Sequence, residues 1–194
     1  PFTARLESLN LNKSQGSTIK LTGALMGASE LKNVKVHFKI KGDTIEVEEC
    51  LDTELCTGMA KLNLIEDSRV EPLEAAHQAA LGRAAVDGVS GWEAVVNVLQ
   101  TFKIKLGMFL VYHDLRRRGR RVKRGARSGT LIVDLGREKL AEILVLEEGT
   151  PMTLEKLAEW SRGASASNHE PIVAIVDRAG VISYYEARAT SHIS

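Results

Sequence analysis

The residues best placed to do chemistry in this sequence are cations. From 115 to 127 it reads Leu-Arg-Arg-Arg-Gly-Arg-Arg-Val-Lys-Arg-Gly-Ala-Arg, with Arg116, Arg117, Arg118, Arg120, Arg121, Lys123, Arg124 and Arg127 and no acid. Guanidinium forks match phosphate oxygens in pairs, so a run this dense can track a nucleic-acid backbone. It can equally receive the acidic surface of a partner protein, or stand as a solvated charged face. Aromatic interleaving is absent, with Tyr112 just upstream, so recognition of backbone or shape fits better than base stacking.

Other chemistries find less support. The sequence has no GxxxxGK[ST], no GxGxxG after a strand, no HExxH and no CxxC pair. His37, His77, His113, His169 and His192 are scattered, without a spacing that would put two on one metal. No metal and no cofactor are expected. Cys50 and Cys56 cannot build a disulfide framework or a four-ligand zinc site. Two reduced thiols in a cytosolic protein are the simplest reading, and one local bridge is the alternative.

Composition bounds the rest. With 194 residues, 44% hydrophobic and 26% charged, the chain has the makeup of one globular domain or two small ones. The formal net charge of +1 hides an asymmetry: without the eight clustered cations, 18 basic residues face 25 acidic ones, a charge of −7. No apolar run approaches the ~20 residues that cross a bilayer, and no secretory pattern opens the sequence, so a cytoplasmic protein is expected.

The elements that must position the basic run can be read from periodicity. Thr18-Ile19-Lys20-Leu21-Thr22 and Val34-Lys35-Val36-His37-Phe38-Lys39-Ile40 alternate as strands do, and Gly42-Asp43 turns into Thr44-Ile45-Glu46-Val47-Glu48. Pro72, with Glu71 and Glu74, opens a helix that Gly82 can close. Ser90 and Glu93 have capping-box spacing ahead of two helices broken near Gly107, and a domain boundary is placed at about residue 104. Beyond the basic run come strands at 130–133 and 143–146, then a helix capped by Thr153 and ended by Gly163. A buried strand at 171–176, a turn at Asp177-Arg178-Ala179-Gly180 and a last strand at 181–186 follow. The second half thus reads α-β-β-α-β-β.

The segment Leu110-Val111-Tyr112-His113-Asp114-Leu115-Arg116-Arg117-Arg118-Gly119-Arg120-Arg121-Val122-Lys123-Arg124-Gly125 resembles one of the archaeal tRNA-splicing (tRNA-intron) endonucleases. That family has Val-Tyr-x-Asp-Leu-Arg-x-Arg-Gly-Tyr-x-Val-Lys-x-Gly there. Ile172-Val173-Ala174-Ile175-Val176-Asp177, then Gly180-Val181-Ile182-Ser183-Tyr184-Tyr185-Glu186, is similar to its closing block. The resemblance implies an α/β (α+β) subunit of two small domains: a mixed α/β N-terminal domain over 1–104 and a nuclease-like C-terminal α/β domain over 105–194. It also implies cleavage of precursor tRNA at a bulge-helix-bulge without metal, leaving a 2′,3′-cyclic phosphate and a 5′-hydroxyl. Such chemistry needs a base, an acid and a cation, which the family supplies as Tyr, His and Lys.

This sequence departs from the family at all three places. Counting on from Lys123 and Gly125 puts the Tyr position at Leu135, the His position falls on Leu140, and the Lys position falls on His169. Aliphatic side chains transfer no protons. The resemblance therefore implies the non-catalytic, structural subunit of a heterotetramer containing two structural and two catalytic chains. A free-standing nucleic-acid-binding module of nuclease-like fold is the alternative. On this reading Arg116, Arg117, Arg118, Arg120, Arg121 and Arg162 face RNA. The catalytic chain is expected to meet Lys123, Arg124, Arg127, Asp177, Val181, Ile182, Tyr184 and Tyr185, by strand addition along 181–186.

Overall fold

The computed structural model describes residues 3–8 and 33–190, and they fall into two compact units, one of residues 33–109 and one of residues 3–8 with 110–190. The strand expected at 18–22 lies outside the described residues. In chain order the first strand, β1 (Thr3–Ser8), belongs to the second unit.

The first unit begins with β2 (Val36–Lys41) and β3 (Thr44–Cys50), antiparallel about the Gly42-Asp43 turn as their alternation requires. Helix α1 (Thr53–Lys61) follows; Asp52 caps it, its Oδ1 accepting from the Leu55 N–H at 3.0 Å. Sequence reading missed this helix because only Met59 is buried, so no apolar stripe announces it. Two-residue strands β4 (Ile65–Glu66) and β5 (Arg69–Val70) lead to α2 (Pro72–Ala80), with Pro72 at its first turn. Then come β6 (Ala84–Val86), β7 (Val89–Ser90) and α3 (Gly91–Thr101). The sheet order is β4-β5-β3-β2-β6-β7.

Three local features differ from expectation. Ser90 is the N-cap of α3, but its side chain makes no capping bond. The helix break falls at Lys103, in the left-handed region at φ 51°, with the Ile104 N–H returning to the Leu99 carbonyl at 2.9 Å. Gly107 sits inside the next helix, α4 (Leu106–Arg117). The reduced-thiol reading also fails: Cys50 at the end of β3 and Cys56 in the second turn of α1 are joined in a disulfide, because the short 51–52 link folds the helix back beside the strand.

The second unit is a sheet between two helices. It contains β8 (Val122–Arg124), β9 (Thr130–Gly136), β10 (Lys139–Glu147), α5 (Leu154–Ala166), β11 (His169–Val176) and β12 (Ile182–Thr190). Strand order is β1-β12-β11-β10-β9-β8, with β10 and β11 the parallel pair. After α4 the order is β-β-β-α-β-β, one strand more than expected, because β8 is short and hidden in the basic run. Alternation splits the sheet residues between two faces. Leu131, Val133, Ile143, Ile172 and Tyr184 turn toward α4, whereas Leu144, Val173 and Ala187 form a buried cluster with Leu157 and Trp160 of α5.

Thr153 caps α5 as expected, accepting from the Lys156 N–H at 3.3 Å. Gly163 does not end it: the helix runs on to Ala166 and stops where Asn168 takes φ 58°. The role of Gly163 is steric. A Cβ there would lie 2.6 Å from Nη2 of Arg127, so glycine leaves room for that guanidinium to lie on the helix.

Candidate functional site

Leu135, Leu140 and His169 are carried by three adjacent strands and reach the same end of the sheet. Leu140 is the register partner of His169 on β11 and of Asp134 on β9. Leu135 adjoins Asp134, and alternation along β9 turns it to the α4 face while Leu140 and His169 occupy the other. Strands β9 and β10 are joined by a two-residue turn, Arg137 and Glu138, both in the left-handed region at φ 54° and 63°. This end of the sheet therefore presents two aliphatic side chains and one imidazole.

Behind His169 lies a buried acid that sequence reading did not single out. Glu142 on β10 is 5% exposed. Its Oε1 accepts from the Trp160 indole N–H at 3.1 Å, and its Oε2 from Arg127 Nη1 at 2.8 Å. His169 Nδ1 stands 3.8 Å from Oε2, too far for a hydrogen bond. An unpaired buried carboxylate is costly, and Arg127 and the indole together remove that cost. Glu142 sits in the apolar run 139–147 as the even-numbered neighbour of Leu140 and Leu144, and this placement was the available signal.

The basic run is divided by its surroundings. Arg118 Nε pairs with Asp114 at 2.9 Å, and its guanidinium carbon lies 5.9 Å from the centre of the Tyr184 ring. Arg116 Nη1 donates to the Arg120 carbonyl at 3.0 Å, and Arg120 Nη1 to that of Leu135 at 3.2 Å. These arginines tie the end of α4 to β9 and β12 while keeping part of their surface wet. Arg127 is committed to Glu142. Arg117, Arg121, Lys123 and Arg124 are exposed, as is Arg162 on α5.

The residues expected at the partner contact are also divided. Asp177 is used within its own turn, Oδ1 accepting from the Ala179 and Val181 N–H groups at 2.8 Å each. Tyr184 is buried toward α4 and donates to Asp114 Oδ2; Ile182 shares its face. Tyr185, the register partner of Val173, turns the other way, to the face that carries the half-buried Leu146 and Ile175, and Val181 stands exposed just before β12. The outer edge of β12 is already paired with β1 from Tyr185 to Thr190. Strand addition along the whole of 181–186 is thus blocked at Tyr185 and Glu186, and only 182–184 is unpaired by β1 on that side.

Titration follows burial. The Tyr184 phenol is held far above its ordinary range by burial first, then by the Asp114 charge and hydrogen bond. Burial lowers His113, helped by the Arg117 charge. Among the described residues no group of three or more His, Cys, Asp and Glu could hold a metal ion.

Two family models match this chain. Residues 106–184 match the catalytic C-terminal domain of tRNA intron endonucleases, and residues 35–102 match the N-terminal domain described as tRNA-intron endonuclease SEN2-like. The matches meet at the α3–α4 connection and together take in most of the chain. It belongs to the tRNA-splicing endonuclease family. No match is found among curated protein sequences.

Proposed function

We propose that this chain is the non-catalytic, structural subunit of an archaeal-type tRNA-splicing endonuclease, acting in the cytoplasm as part of a heterotetramer of two structural and two catalytic chains. The observation that carries the reading is the sheet end at Leu135, Leu140 and His169. The positions that would hold a base, an acid and a cation contain two groups unable to exchange a proton. His169 alone supplies neither the pair of proton transfers nor their separation on either side of a phosphate.

Metal-independent cleavage to a 2′,3′-cyclic phosphate and a 5′-hydroxyl then resides in the partner, and this chain contributes binding surface for precursor tRNA. For the partner contact, Tyr185 shares a sheet face with the half-buried Leu146 and Ile175, and the exposed Val181 stands just before the same strand. Ile182 and Tyr184 face the opposite side and serve the fold. A single partner surface can cover the first pair without touching the second.

The test is direct. Purified chain incubated with bulge-helix-bulge RNA in the presence of a chelator should leave it intact, and addition of a catalytic homologue should produce cyclic-phosphate ends. Cleavage by the lone chain that is absent from a mock purification rejects the reading. Salt-sensitive RNA binding without any association with a catalytic chain supports the free-standing module instead.

A further inference from the structure

The face of the sheet opposite α4 is only partly covered. Helix α5 lies over β11 and β12, fixed by the Leu144–Leu157–Trp160–Val173–Ala187 cluster and by Ser161 Oγ donating to the Ala187 carbonyl at 2.6 Å. Among the described residues it does not pack closely on the same face of β8 and β9. What lies there follows from register. Lys123 pairs with Ile132, and Ile132 with Glu142, so these three point to the α5 side; Arg121, just before β8, continues the ladder, its carbonyl accepting from the Asp134 N–H at 3.0 Å, and shares the alternation of Lys123. We propose that this shelf on β8 and β9 binds the phosphate backbone of the RNA, with Arg121 and Lys123 as its contacts.

Three observations support the shelf. Arg121 and Lys123 are exposed, and no ion pair engages either among the described residues. Two residues apart on a strand, they are spaced by about 7 Å, close to the separation of successive phosphates along a nucleic-acid strand. The acids beneath them are already engaged: Glu142 is neutralised by Arg127, and Asp134 Oδ1 accepts from the Gly136 N–H at 2.7 Å. Among the described residues β8 is the end strand of the sheet, and the shelf runs along the face that carries Leu140 and His169. Lys123 therefore serves RNA and not the partner chain. The inference rests on the subunit reading above for its ligand, while its geometry is independent of it.

The experiment measures binding of fluorescent bulge-helix-bulge RNA across a salt series, with the full chain alone and with the chain mixed with a catalytic homologue. Arg121→Glu/Lys123→Glu and the milder Arg121→Gln/Lys123→Gln are compared with Lys61→Glu, an exposed cation at the end of α1 in the first unit. The shelf variants should weaken binding by about 10-fold or more at low salt. They should also lower the slope of log K against log salt by roughly 0.7–0.9 per lost phosphate contact. Lys61→Glu should leave the slope unchanged, and association with the catalytic chain should be intact in all. An unchanged slope in the shelf variants overturns the proposal, and so does loss of catalytic-chain association with RNA binding preserved, which would make the shelf a protein-docking surface. If the wild-type chain binds RNA with the expected slope but never assembles with a catalytic chain, the subunit reading fails and the shelf stands. Wild-type chain that neither assembles nor binds RNA overturns both.

Discussion

Tyr184 Oη donates a 2.8 Å hydrogen bond to Asp114 Oδ2 across 70 residues of sequence, and Arg118 Nε reaches the same oxygen at 2.9 Å. One carboxylate thus fastens the end of the basic helix to the last long strand of the sheet.

Replacing Tyr184 by Phe should cost about 1–2 kcal/mol, the worth of one bond to a charged acceptor in a partly buried place. The pH dependence has a definite sign. The phenol pKa is raised above its ordinary value of 10.0, so its contribution is fully present below that value and is lost as pH rises beyond it. Urea midpoints measured from pH 9 to 11 should fall for the wild type and be flatter for Tyr184→Phe.

His113 works in the opposite direction. Its pKa is lowered by burial below the ordinary 6.5, so on acidification the unfolded chain takes up the proton before the folded one does. Stability from this group is present above 6.5 and declines as pH falls below it. His113→Gln should reduce the acid-side loss between pH 6.5 and 5, as read by thermal melts, even if its melting temperature at pH 7 is lower.

Arg127 and Gly163 should be coupled. In the wild type, Gly163→Ala crowds Nη2 of Arg127 and should weaken its hold on Glu142, a cost of about 1 kcal/mol. In an Arg127→Met background, where no guanidinium competes for the space, the same alanine should be much less harmful. There it can recover up to about 1 kcal/mol of helix propensity. Equal effects in both backgrounds would show that the glycine is not kept open for Arg127.

The Cys50–Cys56 bridge should be found in the purified protein as a mass change on reduction under non-denaturing conditions. It closes a short loop, so its loss should cost roughly 2 kcal/mol in a chain-entropy account. The effect should concentrate on α1, which buries only Met59, and amide exchange should rise there before it rises in α2.

Much of the frame could be read from the residues. Val34–Glu48 turned about Gly42 as its alternation required, Pro72 and Gly82 bounded α2, and Thr153 capped α5. Misses came where a long-range contact set a local residue. Gly163 reads as a helix end, yet it is glycine because Arg127 needs the space, and that arginine lies 36 positions away. Lys103 and Asn168 end helices in conformations that glycine more often signals. The basic run was visible as charge. Which of its arginines meet Asp114, Glu142 and the carbonyl of Leu135 was not, because that depends on long-range packing.

The tight turn at Arg137 and Glu138 has a consequence for engineering. With only two residues bridging β9 and β10, the backbone has no slack to swing Leu135 and Leu140 onto a common side. Grafting Tyr, His and Lys onto the three positions would therefore give an inventory of reactive groups without their convergence. Placing reactive groups at both positions on one side would need inserted residues in that connection, so loop length as well as side-chain identity sets what this end of the sheet can hold.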